Sequence, residues 1–359
     1  MGKFYSLKNI LKTDAVYYVI FGGRSNGKTY AVQEYALKRY WEKGEQLAIV
    51  RRYRDDFTGK RGQAMFNNQV STGNVKFITG GVWDDIYYYS SQWFLCKHAQ
   101  DGTIIKDEKP FCYAFSLSSM EHDKSTSYPD ICNVLFDEFI TRSAYLVDEF
   151  VIFMNVLSTI IRHRTNVKVF MIGNTVNKYC PYFAEMGLNH IKEMKEGTID
   201  VYTYGNSKLR VAVEYSQNKV GKSSAQYFAF DNPKLNMITG SEWELDIYPH
   251  CPVKFKPKHI MFTYFIIFDD SMLQCEIIRI DRNTFTFIHE KTTPIKHPEK
   301  DIIFTPEYNP APNYARKISR PATELQRRIW SYFVTDRVFY QNNPVGEIVH
   351  NYLLWCEHS

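Results

Sequence analysis

The run "AVYYVIFGGRSNGKTYAVQEYALKRYWEKG" constrains the fold more than any other part of the chain. Residues 15–23 are apolar, β-branched or aromatic and end in glycines, which predicts a buried strand entering a turn. After Lys28, residues Ala31, Tyr35, Leu37 and Trp41 recur at helical spacing, and Gly44 ends the helix. "QLAIVRRY" (46–53) then supplies a second strand and completes a β–α–β unit. Gly22, Gly23, Arg24, Ser25, Asn26, Gly27, Lys28 and Thr29 fill the turn with the spacing G-x-x-x-x-G-K-[ST]. Glycines there let successive N–H groups curl around phosphates without a Cβ clash, and the helix N-terminus adds a favourable dipole. Lys28 is placed for the β- and γ-phosphates and Thr29 for Mg2+, so ATP with Mg2+ is the expected ligand. Arg24 is a second cation in the same loop, and it either holds a phosphate or faces solvent.

Further along, the pattern of alternating strands and helices continues. "ICNVLFDEF" (131–139) reads as a buried strand capped by two acids. Asp137 suits the outer shell of Mg2+ and Glu138 the polarisation of an attacking water, against the plain alternative of a solvated acidic turn. Leu146, Phe150, Phe153, Leu157 and Ile160 mark one face of a long helix, and "VKVFMIGNT" (167–175) is a further strand. Asn174, at the polar end of that strand, is either a γ-phosphate sensor or a turn residue. A mainly parallel α/β sheet follows, with acids and amide at the strand ends, in the manner of RecA-like, additional-strand P-loop ATPases. Arg162 and Arg164 sit at the end of the long helix. They read either as cations complementing the helix dipole or as a trans-acting arginine finger. Lys124, in the polar loop before the Asp-Glu strand, is either a solvated lysine or another trans contact.

Between these elements, "VKFI" (75–78), "SQWFLCKH" (91–98) and "PFCYAFSL" (110–117) read as strands of an antiparallel elaboration, with a hairpin turn at Asp101-Gly102. Residues 205–246 are rich in Ser, Lys, Gly and Asn and read as a linker or small connecting domain. The expected organisation is a P-loop ATPase domain over 1–204, the linker over 205–246 and a C-terminal domain over 247–359. The last begins with antiparallel strands ("MFTYFIIFD", "LQCEIIRI", "TFTFIHE") and closes with two helices.

Composition excludes several classes. The net charge of +5 fits a polyanionic partner without requiring one. Seven cysteines without a CxxC pair, and histidines without HExxH spacing, argue against a disulfide framework or a zinc site. No apolar run reaches membrane-spanning length, and the expectation is a reducing, cytoplasmic setting.

With these residues in hand, the chain resembles the DNA-packaging ATPases of small phi29-like bacteriophages, relatives of large terminase subunits. The resemblance lies in "GGRSNGKTYA", "GEQLAIVRRYR", "KSTSYPDICNVLFDEFI", "IIRHR" and "NKYCPYF", and fades beyond about residue 200. It implies a homo-oligomeric ring, typically a pentamer, at the portal of an empty capsid in the host cytoplasm. The ring would drive double-stranded DNA inward with ATP, in contact with the portal connector and a structural RNA. It assigns phosphate and Mg2+ contacts to Lys28 and Thr29, Walker B and catalytic roles to Asp137 and Glu138, the trans-acting finger to Arg162 first with Arg164 behind it, and coupling to Asn174. It also implies an RNase H-like C-terminal domain. Asp269 and Asp270 end a strand there, but Glu276 and Asp281 are weak partners, so the domain resembles a vestigial nuclease. An active nuclease, or an assembly adaptor that binds ATP and barely turns over, are the alternatives.

Overall fold

The computed structural model describes residues 4–122, 127–143, 145–175, 177–217, 248–251 and 253–358. The chain divides into two units, Met1–Trp243 and Glu244–Ser359.

The first unit is built on a ten-stranded sheet. Its strands are β1 (Tyr17–Gly22), β2 (Gln46–Arg51), β3 (Asp85–Tyr89), β4 (Gln92–His98), β5 (Ile104–Lys106), β6 (Cys112–Ser116), β7 (Ile131–Asp137), β8 (Lys168–Asn174), β9 (Ile199–Tyr204) and β10 (Leu209–Ser216). The order is β3-β4-β6-β2-β7-β8-β1-β10-β9, with β5 on β4. From β6 through β10 every neighbouring pair is parallel. The antiparallel strands lie at the two margins. This is the mainly parallel sheet expected, and β8 lies between the glycine-loop strand and the Asp-Glu strand, as the additional-strand class requires.

Both faces of the sheet are covered, which is why its central strands read as continuous apolar runs rather than alternating ones. Val19, Phe21, Val134, Phe136 and Met171 share one core with Phe153, Val156, Leu157 and Ile160 of the Glu149–Ile161 helix. Tyr18, Ile20, Leu135, Phe170 and Ile172 point the other way, into a core with Ala31, Val32, Ala36 and Leu37 of the Lys28–Lys43 helix. Gly44 ends that helix at φ 70, the left-handed C-terminal position that glycine takes without a Cβ penalty.

Two expectations change here. "VKFI" forms the short Asn74–Ile78 helix instead of a strand. Its apolar alternation is too short to choose a period, and Gly73, at φ 69, supplies the left-handed residue that starts the turn. Residues 209–216, placed in the linker, are a strand of the first sheet. Val211, Ala212 and Val213 are buried, and β10 pairs in parallel with the whole of β1. The rest of the expected linker, from 218, lies outside the described residues, as does Lys124.

The second unit holds a six-stranded sheet in the order β15-β14-β11-β12-β13-β16. These strands are β11 (Ile260–Phe268), β12 (Ser271–Ile280), β13 (Asn283–Glu290), β14 (Ile302–Phe304), β15 (Tyr314–Ala315) and β16 (Val338–Tyr340). Three antiparallel strands are followed by β14, added in parallel beside β11, and β15, in parallel beside β14. The Glu324–Val334 and Asn343–His358 helices follow. The first has a capping box in which the Thr323 hydroxyl accepts from the Gln326 N–H. No helix among the described residues is long and apolar enough to cross a membrane.

Candidate functional site

Six parallel strands end at the same edge of the first sheet, with Gly22, Arg51, Ser116, Asp137, Asn174 and Ser216 as their last residues. The carboxyl ends of such strands form the crevice in which open α/β sheets bind ligands.

The glycine loop leaves β1 at Gly22, whose φ is 151. A Cβ there would overlap the Ser216 hydroxyl and lie 2.7 Å from the Ser216 carbonyl oxygen, so only glycine fits beside β10. Ser216 also braces the loop. Its hydroxyl donates to Phe21 O at 3.0 Å and accepts from Asn26 Nδ2 at 2.9 Å. Asn26 is 1% exposed, and its Oδ1 has no hydrogen-bond partner. The loop is strapped from outside by the N-terminal segment: Tyr5 N–H donates to Asn26 O at 2.8 Å, and the Tyr5 hydroxyl donates to Glu214 at 2.6 Å.

Lys28 opens the helix and is buried. Its Nζ donates to the loop's own carbonyls, Gly23 O at 2.7 Å and Gly22 O at 3.2 Å, and reaches Asn174 Oδ1 at 3.4 Å. Burial pushes its pKa down to about 8, with the Asp137 carboxylate opposing the shift. The loop therefore holds a desolvated ammonium for which an incoming phosphate is a far better partner than a carbonyl.

Thr29 Oγ1 donates to Asp137 Oδ1 at 3.1 Å. A hydroxyl and a carboxylate side by side fit Mg2+, which takes one or two protein oxygens and completes its shell with water and substrate phosphates. Among the described residues there is no group of three or more His, Cys, Asp or Glu that could hold a metal ion.

Glu138 follows Asp137 with φ 62, an uncommon backbone for a non-glycine residue, and its side chain is 63% exposed. Both acids are held by a residue to which the sequence alone gave no role. Arg51, the last residue of β2, donates to Asp137 Oδ2 at 2.6 Å and to Glu138 Oε2 at 3.1 Å. Burial works against its charge, but Asp137 and then Glu138 outweigh burial and its pKa rises. Two cations at the end of a buried strand, "IVRRY", were the available signal.

Arg24 lies exposed in the loop. The helix-end arginines are not part of this edge. Arg162 is exposed just past the helix, at φ 49. Arg164 is a tether. It donates to Pro129 O at 2.9 Å, Ile131 O at 2.6 Å, Tyr128 O at 3.1 Å and Ile160 O at 2.5 Å. Ile131 begins β7 and Asp137 ends it, which separates the two by about 20 Å at ~3.3 Å per residue. Neither arginine is near the glycine loop of its own chain.

In the second unit the acids do not converge. Asp269 and Asp270, at φ 50 and 61, are the two-residue hairpin turn between β11 and β12. Glu276 lies mid-strand, bonded to Gln274 at 2.7 Å and 3.6 Å from His289, and Asp281 is in the next turn, at the far end of β12. Separation along β12 is about 30 Å from turn to turn, too far for shared metals.

Known proteins resemble this chain in sequence and in fold. The chain is 30% identical over 183 residues to the DNA packaging protein of Bacillus phage B103, covering 50% of each protein. It is 27% identical over the same length to that of Bacillus phage phi29, covering 50% of this chain and 49% of the relative. The match thus spans about half the length of these curated relatives. The fold is that of the bacteriophage Phi-29 viral genome packaging motor assembly (TM-score 0.53, 18% identity, all of both chains). It is also that of the Phi-28 gp11 DNA packaging motor (TM-score 0.50, 20% identity, 99% of this chain and 97% of that one). The model of the Podovirus DNA encapsidation protein (Gp16) family matches residues 1–81 and 97–219, more than half of the sequence, and the chain belongs to that family.

Proposed function

We propose that this chain is the ATPase of a viral DNA-packaging motor, coupling Mg2+-dependent ATP hydrolysis to translocation of double-stranded DNA into a preformed capsid. The observation that carries the reading is the convergence of Lys28, Thr29, Asp137, Glu138 and Asn174 on one sheet edge, with β8 between β1 and β7. Lys28 exchanges its loop carbonyls for the β- and γ-phosphates, and Arg24 adds a second cation there. Mg2+, held by Thr29 with Asp137 behind it, would neutralise phosphate charge. Glu138 orients and deprotonates water, once Arg51 no longer occupies its carboxylate. Asn174, already within reach of Lys28, reports the γ-phosphate to β8.

The names of the relatives support DNA as substrate and a motor assembly as setting. We assign the chain to a homo-oligomeric ring, a pentamer by family resemblance, at the capsid portal of the host cell, with portal protein and a structural RNA as further partners. The placement of Arg162 at the opposite sheet edge favours action on a neighbouring subunit's nucleotide, since its own is out of reach. Phosphate release with and without linear double-stranded DNA tests the reading. DNA should stimulate turnover, and Glu138→Gln should cut it by about 10²–10⁴-fold while nucleotide binding persists. Equal turnover by Glu138→Gln would overturn it.

A further inference from the structure

Arg52, one residue beyond Arg51, faces the other way and is 7% exposed. Its Nε and Nη2 donate to both oxygens of Glu149, at 2.7 and 2.8 Å. Nη2 also donates to Phe139 O at 3.0 Å, and Nη1 reaches Glu138 O at 3.4 Å. The guanidinium carbon lies 5.0 Å from the centre of the Tyr145 ring. Glu149 is 3% exposed and fully engaged, accepting also from the Tyr182 hydroxyl at 2.9 Å and from Leu146 N–H at 2.8 Å.

A buried ion pair is a poor device for stability, because the desolvation of both charges consumes most of what their attraction returns. Its distinctive property is geometry: a planar fork fixes two acceptors at once. Here the fork fixes the carbonyls of Glu138 and Phe139, the two residues that follow Asp137. Glu138 sits at φ 62, a backbone that persists only where its surroundings over-determine it. From the same peptide group, on the face opposite the Glu138 carbonyl, Phe139 N–H donates to Ile172 O at 3.2 Å, so the turn is held by β8 and by Arg52 together.

From this geometry we propose that Arg52, clamped by Glu149, is a positioning residue that sets the backbone of Glu138 and so aims its carboxylate at the attacking water. The proposal rests on the reading of Glu138 given above. The clamp links that turn to the start of the Glu149–Ile161 helix and, through Tyr182, to the Pro181–Glu185 helix.

The test compares Arg52→Lys, which keeps the charge and loses the fork, with Glu149→Gln, which keeps the shape and loses the charge. For each, kcat, KM, the Kd of a fluorescent ADP analogue and the melting temperature are measured on the full chain. A misaimed carboxylate predicts kcat lower by about ten- to a hundredfold, with KM and Kd within about twofold. Either substitution should cost much less when added to Glu138→Gln than when made alone. Tyr182→Phe, which removes only the hydroxyl, should show the same split at smaller amplitude, and it carries the test if the other two do not fold. Unchanged kcat in the folded variants overturns the clamp, as does full additivity with Glu138→Gln. Wild-type hydrolysis by Glu138→Gln instead overturns the underlying reading of the glutamate.

Discussion

Nucleotide binding should be coupled to proton uptake at Lys28. Burial holds this lysine at about 8, down from an ordinary 10.5. In the free chain the ammonium is therefore present below about pH 8 and lost above it, when only about one site in ten stays charged at about pH 9. A phosphate beside Nζ restores the charge, so each bound nucleotide takes up close to one proton there at about pH 9, about half a proton at about pH 8 and almost none at about pH 7. Affinity should then fall by up to about tenfold per pH unit above about pH 8, or ~1.4 kcal/mol per unit. Stability of the free chain moves the opposite way. Between about pH 8 and 10.5 the unfolded state holds the extra proton, so stability rises with pH by up to about 3 kcal/mol in total. Calorimetric titration of ADP or a non-hydrolysable ATP analogue, in buffers of different ionisation heat at about pH 7, 8 and 9, reads both affinity and proton uptake. Lys28→Arg, charged throughout, should flatten the pH dependence. A wild-type affinity that is flat over this range with no proton uptake would refute the reasoning, because Lys28 would then be charged without its phosphate.

Other substitutions separate the remaining contacts. Gly22→Ala forces a Cβ onto Ser216 and should cost about 2 kcal/mol or more in urea unfolding, with nucleotide binding lost. Arg164→Ala removes the donor to four backbone carbonyls and should lower stability by about 1–3 kcal/mol, seen as a lower melting temperature. Arg162→Ala should leave the melting temperature in place and slow hydrolysis in the assembled ring, where a mixed-in Glu138→Gln subunit with intact Arg162 restores part of the rate. The pair Asp269→Asn and Asp270→Gly suits the hairpin turn better than the native residues and should be neutral or stabilise by up to about 1 kcal/mol. Plasmid cutting in Mn2+ that this pair abolishes would contradict a purely structural turn.

Local features were legible in the sequence, and features set by strand order were not. "GGRSNGKTY" needs only its own glycines and the flanking periodicities to be read, and "NVLFDEF" needs only an apolar run with acids at its end. Arg51 could be seen, but not that it would meet Asp137 and Glu138, 86 and 87 residues on, because that follows from β2 lying beside β7. β10 was hidden in a polar stretch. Once beside β1, it contributes Ser216, which decides that residue 22 must be glycine. Asp269-Asp270 could be read two ways from the sequence. Two acids at a strand end resemble a metal site, yet two polar residues between β-rich runs are also what a tight hairpin requires.

The central claim is that Glu138-dependent ATP hydrolysis moves DNA into a capsid. Empty portal-bearing capsids of the corresponding phage, incubated with this protein, linear double-stranded DNA and Mg2+-ATP, should render the DNA resistant to DNase. Protection should vanish with Glu138→Gln or with a non-hydrolysable ATP analogue. Protection that persists with Glu138→Gln, or that needs no hydrolysable ATP, would contradict the account.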